Sequence, residues 1–326
     1  MPLFGQNDVP RYLFRVYSPS TAGQTTDSYV TPPASTCGRA EKTRDIFRLP
    51  PAEAAIRLNE HLRWWSSHES KCNLMSWTSS LLFALQHGLR RHNTDHEKPE
   101  LSQISLLILD TRGFPIGTFI KDMEIMEVFA QYTNFNQTKN LDDFFQFRKS
   151  DRGYYFGEYL TQGRIDIRRR CIVTNMQRLI DAGLFELRPE LKDNSRRGEW
   201  ANRVVDLRKL FKASQDTPTA THTEVRKAIT VAGACFGNGW DLPVAIMLLA
   251  LKRRQTKDPV IINGFAAMFA EKEIECLQMK DIKSDAHQLP ELEQFQHLID
   301  DISQHFVWKD SKSLSSHFDN LSFGQS

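Results

Sequence analysis

The stretch Asn73–Gly88, NLMSWTSSLLFALQHG, decides how the chain folds. Its first half is short and extended. Its second half continues as LLFALQHGLRRH, a run of good helix formers. Four hydroxyl side chains, Ser76, Thr78, Ser79 and Ser80, crowd the junction, with Ser70 just upstream. A strand that runs straight into a helix needs a cap, and Ser79 or Ser80 can accept a bond from a free N–H of the first turn. So many small polar groups beside an apolar segment also suit the wall of a binding site, with Ser76 and Thr78 turned toward it.

The pattern around this junction extends in both directions. RYLFRVY (11–17) alternates polar and apolar residues and predicts a strand, ended by the turn cluster SPSTAG. Residues 18–45 are poor in large aliphatics and predict a long surface loop. Pro51 opens a helix to about Trp65, with Ala55, Ile56, Leu58, Leu62 and Trp65 as its apolar stripe. ISLLILDTRG (104–113) reads as a buried strand and a turn. GTFIKDMEIMEVF reads as a strand edge and a short helix. Residues 132–153 show no period and predict an excursion. GYYFGEYLTQGRIDI (153–167) predicts two short strands joined at Gln162-Gly163, and IVTNMQRLIDAGLFEL (172–187) a helix stopped at Gly183.

Composition changes after about residue 188. Helical patterns then dominate at 224–236, 242–253 and 259–270, and the last sixty or so residues are polar. The fold class expected is α+β: residues 1–215 form a sheet-and-helix domain, and residues 216–326 a helical region with a polar tail.

Charge and composition narrow the function. The 42 Lys and Arg nearly balance 40 Asp and Glu, for a net charge of +2, which argues against nucleic acid as the main partner. The basic cluster RIDIRRR (164–170) reads as a solvated face. The longest apolar run, LPVAIMLLAL (242–251), has about half the ~20 residues a membrane span requires, and it reads as a core helix. MPLFGQNDVPRYLF carries no secretory pattern, so an intracellular, cytoplasmic home is expected. Cysteines 37, 72, 171, 235 and 276 form no C-x-x-C, so no metal and no disulfide framework is expected. His61, His68, His87 and His92 fall in or beside helices without acidic or cysteine partners at metal-ligand spacing. There is no G-x-S-x-G elbow. FGNGWDLP (236–243) reads as a turn between helices, with Asn238 or Asp241 capping the second.

Three motifs in order are more informative together: Arg15 in YLFRVYSP, Ser76 and Thr78 in MSWTSSLLFALQHG, and Glu158 in YYFGEYLTQGRI. This order resembles the Arg–Ser–Glu class of ADP-ribosyltransferases, whose fold includes the heat-labile enterotoxin. Leu13 and Phe14 precede Arg15 as an apolar pair does in that class. Ser76, Trp77 and Thr78 match its Ser-Thr-Ser motif except in the middle, and Ala84 and Gly88 follow at its spacing. The match covers roughly 11–187. It is also similar to an uncharacterised domain family widespread in filamentous fungi.

The resemblance implies a split β-sheet core and NAD as substrate. Arg15 would bind the pyrophosphate, bidentately as guanidinium does. Ser76 and Thr78 would organise the site, and Val16 would hold the nicotinamide amide through its backbone. Tyr17, Phe83 and Tyr155 would stack on the flat ring. Glu158 would stabilise the oxocarbenium-like cation that forms as the nicotinamide–ribose bond breaks. Arginine-modifying members carry a second acid two residues before that glutamate. Here the position is Phe156, which can neither bind a guanidinium nor take a proton. The expected activity is therefore NAD hydrolysis or ADP-ribose transfer to some protein acceptor. The alternative is a catalytically inactive module of the same fold that acts through protein contacts.

Overall fold

A computed structural model of the chain describes residues 9–36, 44–65, 72–95, 97–133, 138–192, 200–213, 217–237, 239–275, 277 and 288–305. Cys37, His68, Ser70, Asn238 and Cys276 lie outside them. The described residues form two compact units. One runs up to Lys209 and includes 288–289; the other runs from Leu210 to 277 and resumes at Pro290.

The first unit is mixed α and β and built on antiparallel pairing. Its strands are β1 (Tyr12–Tyr17), β2 (Gln24–Thr25), β3 (Tyr29–Thr31), β4 (Leu74–Thr78), β5 (Ser105–Asp110), β6 (Ile120–Lys121), β7 (Glu158–Gln162), β8 (Ile165–Asp166) and β9 (Cys171–Asn175). Its helices are α1 (Pro33–Thr36), α2 (Pro51–Leu62), α3 (Leu81–Thr94), α4 (Asp122–Ala130), α5 (Leu141–Lys149), α6 (Met176–Asp181) and α7 (Leu184–Leu187), and most of α8 (Trp200–Ala213). Six strands form one sheet in the order β6-β7-β4-β1-β5-β9, and three form a small sheet, β2-β3-β8.

The hydrophobic pattern explains the layering. Leu106 to Leu109 of β5 are fully buried, so this strand is covered on both faces. Period-two alternation sends Leu74 of β4 and Leu160 of β7 to one face, where they pack with α2, α4 and α5 through Leu58, Ile125 and Phe145. Met75, Trp77 and Tyr159 go to the other face, where Val30 and Ile165 of the small sheet cover them. Helix α3 lies over β1 and β5. At Gly88 it approaches α6 so closely that a Cβ would sit 2.8 Å from the Met176 sulfur, which gives Gly88 a packing reason.

Pairing across the sheet is uneven. β1 and β5 match from Tyr12 opposite Asp110 to Tyr17 opposite Ser105. β4 and β7 match from Leu74 opposite Gln162 to Thr78 opposite Glu158. Between β1 and β4, in the middle of the sheet, the only rung is Phe14 opposite Thr78. Beyond that rung the two strands part.

The second unit is helical, with α9 (His222–Cys235), α10 (Asp241–Ala250), α11 (Pro259–Met268), α12 (Glu271–Glu275) and helical backbone over 290–305. Leu242 to Ala250 are all buried, as the apolar run predicts for a core helix. Thr221 and Glu224 cap α9 reciprocally, and Asp258 caps α11 ahead of Pro259.

Several expectations need correction. Residues 18–45 are not one loop: β2, β3 and α1 lie within them, because Tyr29 and Val30 find a partner in β8, far off in sequence. The 132–153 excursion contains α5, capped by Asn140 and Asp143. The two short strands expected over 153–167 are present as β7 and β8, joined just after Gln162, and they belong to different sheets. The segment read as one helix at 172–187 begins as β9, since Cys171–Asn175 pairs with β5. In the 236–243 turn, Trp240 takes the cap position and Asp241 is already helical.

Candidate functional site

Where β1 and β4 separate, Arg15 fills the gap. It is half-buried, and its Nη1 donates to the Ser76 carbonyl at 2.8 Å, replacing a ladder bond the strands no longer make. Its Nε donates to Thr25 Oγ1 at 3.2 Å, and the guanidinium lies over the Trp77 ring. Burial, and then the nearby Arg91 cation, lower its pKa to about 10, so it stays charged at neutral pH.

The hydroxyls of the 76–80 stretch divide their work. Thr78 Oγ1 donates to the Phe156 carbonyl at 2.6 Å and accepts from Ser80 N–H at 3.0 Å. Ser79 donates to the Gly157 carbonyl through its backbone N–H at 2.8 Å and its Oγ at 3.3 Å. Ser80 caps α3 by accepting from Phe83 N–H at 3.1 Å. Arg208 grips the same turn, donating to the Tyr155 carbonyl at 2.5 Å and to Ser80 Oγ at 3.3 Å. Thr78 is thus a clamp on the turn that delivers Glu158, and its hydroxyl is engaged there although the residue borders the cavity. Gly157 is required in that turn: its φ is +66°, and a Cβ would meet Ser79 Oγ at 2.1 Å.

Ser76 does present its hydroxyl outward, and it has a partner the sequence did not reveal. Its Oγ lies 2.8 Å from His61 Nε2, and the other ring nitrogen, Nδ1, lies 2.9 Å from Cys72 Sγ. Burial alone would make the imidazole less basic. Cys72, through charge and hydrogen bond, and then Glu158 outweigh burial and lift the His61 pKa above its ordinary value. Burial likewise works against a Cys72 thiolate, but His61 and then Arg57 bring the thiol below its ordinary range.

Glu158 is buried and ion-paired. Arg148 Nη2 from α5 sits 2.7 Å from its Oε2, and Arg148 Nη1 binds the fully buried Asp122 of α4. Burial would weaken the Arg148 cation, yet Glu158 and Asp122 together push its pKa above the usual value. The ring of Phe144 lies 4.6 Å from the guanidinium and closes its other side.

Arg15, Ser76 and Glu158 all border one cavity of about 990 Å³, within the first unit. Val16 and Phe83 also line it. Phe83 stacks on His87 with ring centres 5.8 Å apart and packs on Phe156 at 4.8 Å, while Trp64 meets His87 at 5.1 Å. Burial, then the Arg91, Arg90 and Arg15 cations, depress His87 to about 3, so its ring is neutral at physiological pH.

Tyr17 and Tyr155 are corrections. Tyr17 packs against the opposite face with Trp77 and Tyr159. Tyr155 is buried under the Lys121 ammonium, and Phe156 takes the cavity position instead. Tyr155 and Phe156 lie in the turn before β7, outside any strand, and only Phe156 borders the cavity. His61, Cys72, Arg148 and His87 are what sequence reasoning missed. A signal was available only for His61 and His87, on the inward faces of two predicted helices.

Among the described residues, no group of three His, Cys, Asp or Glu side chains is placed to hold a metal, and no helix is long and apolar enough to cross a membrane. No curated protein and no solved structure matches this chain. Residues 8–178, which carry the whole six-stranded sheet and all the cavity-lining side chains named above, match a domain of unknown function, DUF7587, and the chain belongs to that family.

Proposed function

We propose that the first unit binds a dinucleotide of the NAD type and cleaves its nicotinamide–ribose bond, passing ADP-ribose to water or to a protein acceptor. One observation carries this reading: a cation, a hydroxyl and a carboxylate from three neighbouring strands, Arg15, Ser76 and Glu158, border a single cavity with a stacked aromatic wall. Its volume suits a drug-sized or cofactor-sized ligand. Phe83, His87 and Phe156 offer flat faces to a base or nicotinamide ring. Arg15 and the neighbouring Arg91 supply positive potential for the pyrophosphate. As the glycosidic bond lengthens, Glu158 would meet the positive charge developing on the ribose, and Ser76, tied to His61, would orient the ribose hydroxyls.

The test is incubation with labelled NAD, reading free nicotinamide and label on protein. Glu158→Gln is expected to lower nicotinamide release by at least about 100-fold, in line with removal of a charge-stabilising group, with unfolding otherwise cooperative. Equal release by the variant would overturn the mechanism.

A second reading has its own support. The Glu158 carboxylate is already matched by Arg148, which also serves Asp122. A neutralised carboxylate stabilises a cation less, so the cavity would hold a dinucleotide without turning it over. Calorimetric binding of NAD with no nicotinamide released by wild type would select this reading. Absence of binding at millimolar NAD would end both.

A further inference from the structure

Ser76 and His61 serve the chemistry proposed above, but the third member of their hydrogen-bonded chain, Cys72, has no place in it. Three side chains from two elements and the segment between them are linked end to end on the cavity wall: Sγ to Nδ1 at 2.9 Å, and Nε2 to Oγ at 2.8 Å. His61 comes from the last turn of α2, Ser76 from β4, and Cys72 from the residues leading into β4. Ser76 fixes the orientation of the ring, so the second nitrogen is aimed at sulfur. That is the arrangement that activates a thiol: a base within hydrogen-bond reach, itself oriented by a third group.

The charged surroundings agree. Arg57 of α2 adds positive potential at the sulfur, while Glu158 of β7 supports a protonated His61 and Arg15 of β1 opposes it. Cys171 and Cys235 offer contrast within the same chain. Cys171 is half-buried beside Asp27, and burial followed by that carboxylate raises its pKa to about 11; Cys235 is buried on α9. Cys72 is the described cysteine that combines a histidine partner with a cavity.

We propose that Cys72 is a nucleophilic thiol on the cavity wall, a site of modification by small electrophiles of the hydroperoxide class. The thiolate attacks the distal peroxide oxygen and the O–O bond breaks. Sulfur is oxidised to sulfenic acid, the peroxide is reduced to an alcohol or water, and the departing alkoxide takes its proton from the His61 imidazolium. The proposal does not rest on the dinucleotide reading. It does tie the two together physically, because oxidation removes the thiolate that holds His61 charged and leaves the ring that orients Ser76 neutral.

The experiment is peptide-resolved mass spectrometry of the full chain treated with iodoacetamide between pH 5 and 9, and with hydrogen peroxide plus a sulfenate-trapping dione. At pH 7, Cys72 is expected to alkylate at least about tenfold faster than Cys171, with a rate that levels off at lower pH than that of Cys171. Peroxide is expected to trap sulfenate at Cys72 and not at Cys171. His61→Gln is expected to bring the Cys72 rate down by about tenfold and restore a rate that climbs with pH. The wild-type profile decides the matter even if that variant folds poorly. A Cys72 rate no faster than that of Cys171, or one that levels off at no lower pH, overturns the proposal, as does a folded His61→Gln variant with an unchanged rate.

Discussion

β1 has two edges, and they are built in opposite ways. Toward β5 it is laddered along its whole length, and the partner contributes four consecutive apolar residues with no exposed surface. Toward β4 it holds one rung, and a guanidinium takes over where the backbone bonds stop. The closed edge carries stability: buried aliphatics and paired amides need nothing further. The open edge carries a cavity, and polar side chains around it take partners from other side chains or from backbone. Arg15, His61, Cys72, Arg148 and Glu158 are bonded to one another or to backbone for that reason. A sheet that gives up backbone pairing in its middle gains a place where side chains from three strands can meet a ligand.

The largest effect is expected from breaking the closed edge. Leu107→Ala, at a position with no exposed surface, is expected to cost about 3 to 4 kcal/mol through lost burial and the cavity left behind. Ser76→Ala on the open edge is expected to cost about 1 kcal/mol, since one part-buried hydrogen bond, to His61, is removed. Urea melts of the two variants measure this directly. Similar costs at both positions would mean that the open edge is structural too.

A slightly smaller effect is expected at the ion pairs on the open edge. Arg148→Met leaves Asp122 and Glu158 facing each other without a cation, in a place where Asp122 has no access to water. Removing one partner of a buried pair costs about 3 kcal/mol. The loss is expected to shrink as pH falls, because a proton shared by the two carboxylates replaces the missing cation. Melts at pH 7 and pH 5 test the sign: a deficit that grows toward acid would show that the carboxylates do not face each other once Arg148 is gone.

The closed edge was far more legible in the sequence than the open one. Tyr12–Tyr17 and Ser105–Asp110 announce themselves because alternation and a continuous apolar run are local patterns. The helices of the second unit are legible for the same reason. At the open edge, Arg15, Ser76 and Glu158 could be picked out only as an ordered set, and the register that unites them depends on pairings across some eighty residues, such as Thr78 with Glu158. Tyr155 and Phe156 lie in the turn before β7, where no local alternation tells which ring borders the cavity. Arg148 was hidden because α5 is short and its one apolar stripe is interrupted by charge. Cys72 was hidden because a thiol declares its role only through a neighbour, and His61 is brought to it by the packing of α2 on the sheet. The role of Thr78 and Ser79 as clamps on the 156–157 carbonyls was invisible for the same reason: both partners lie on another strand's approach.

Helix α3 belongs to both edges, and it offers the finest test of the comparison. Leu82, Leu85 and Leu89 face the core, whereas Phe83, His87 and Arg90 border the cavity. His87 is the titratable member of that second face, and burial together with Arg91, Arg90 and Arg15 holds its pKa at about 3. Unfolded, the same ring titrates near 6.5. Above that pH both states are neutral and the residue adds no pH dependence. Below it the unfolded chain takes up a proton that the folded chain refuses, so stability falls as pH drops toward 3. A fully buried ring would lose about 2 kcal/mol between pH 6.5 and 5. The ring edge here is partly open to the cavity, so about 1 kcal/mol is expected. His87→Phe keeps the stack on Phe83 and removes the proton, so its loss of stability from pH 7 to pH 5 is expected to be about 1 kcal/mol smaller than that of wild type. Carboxylates common to both chains cancel in that difference. Parallel pH curves for the two proteins would mean that water reaches the ring, and that burial and the three arginines do not set the environment of the cavity wall.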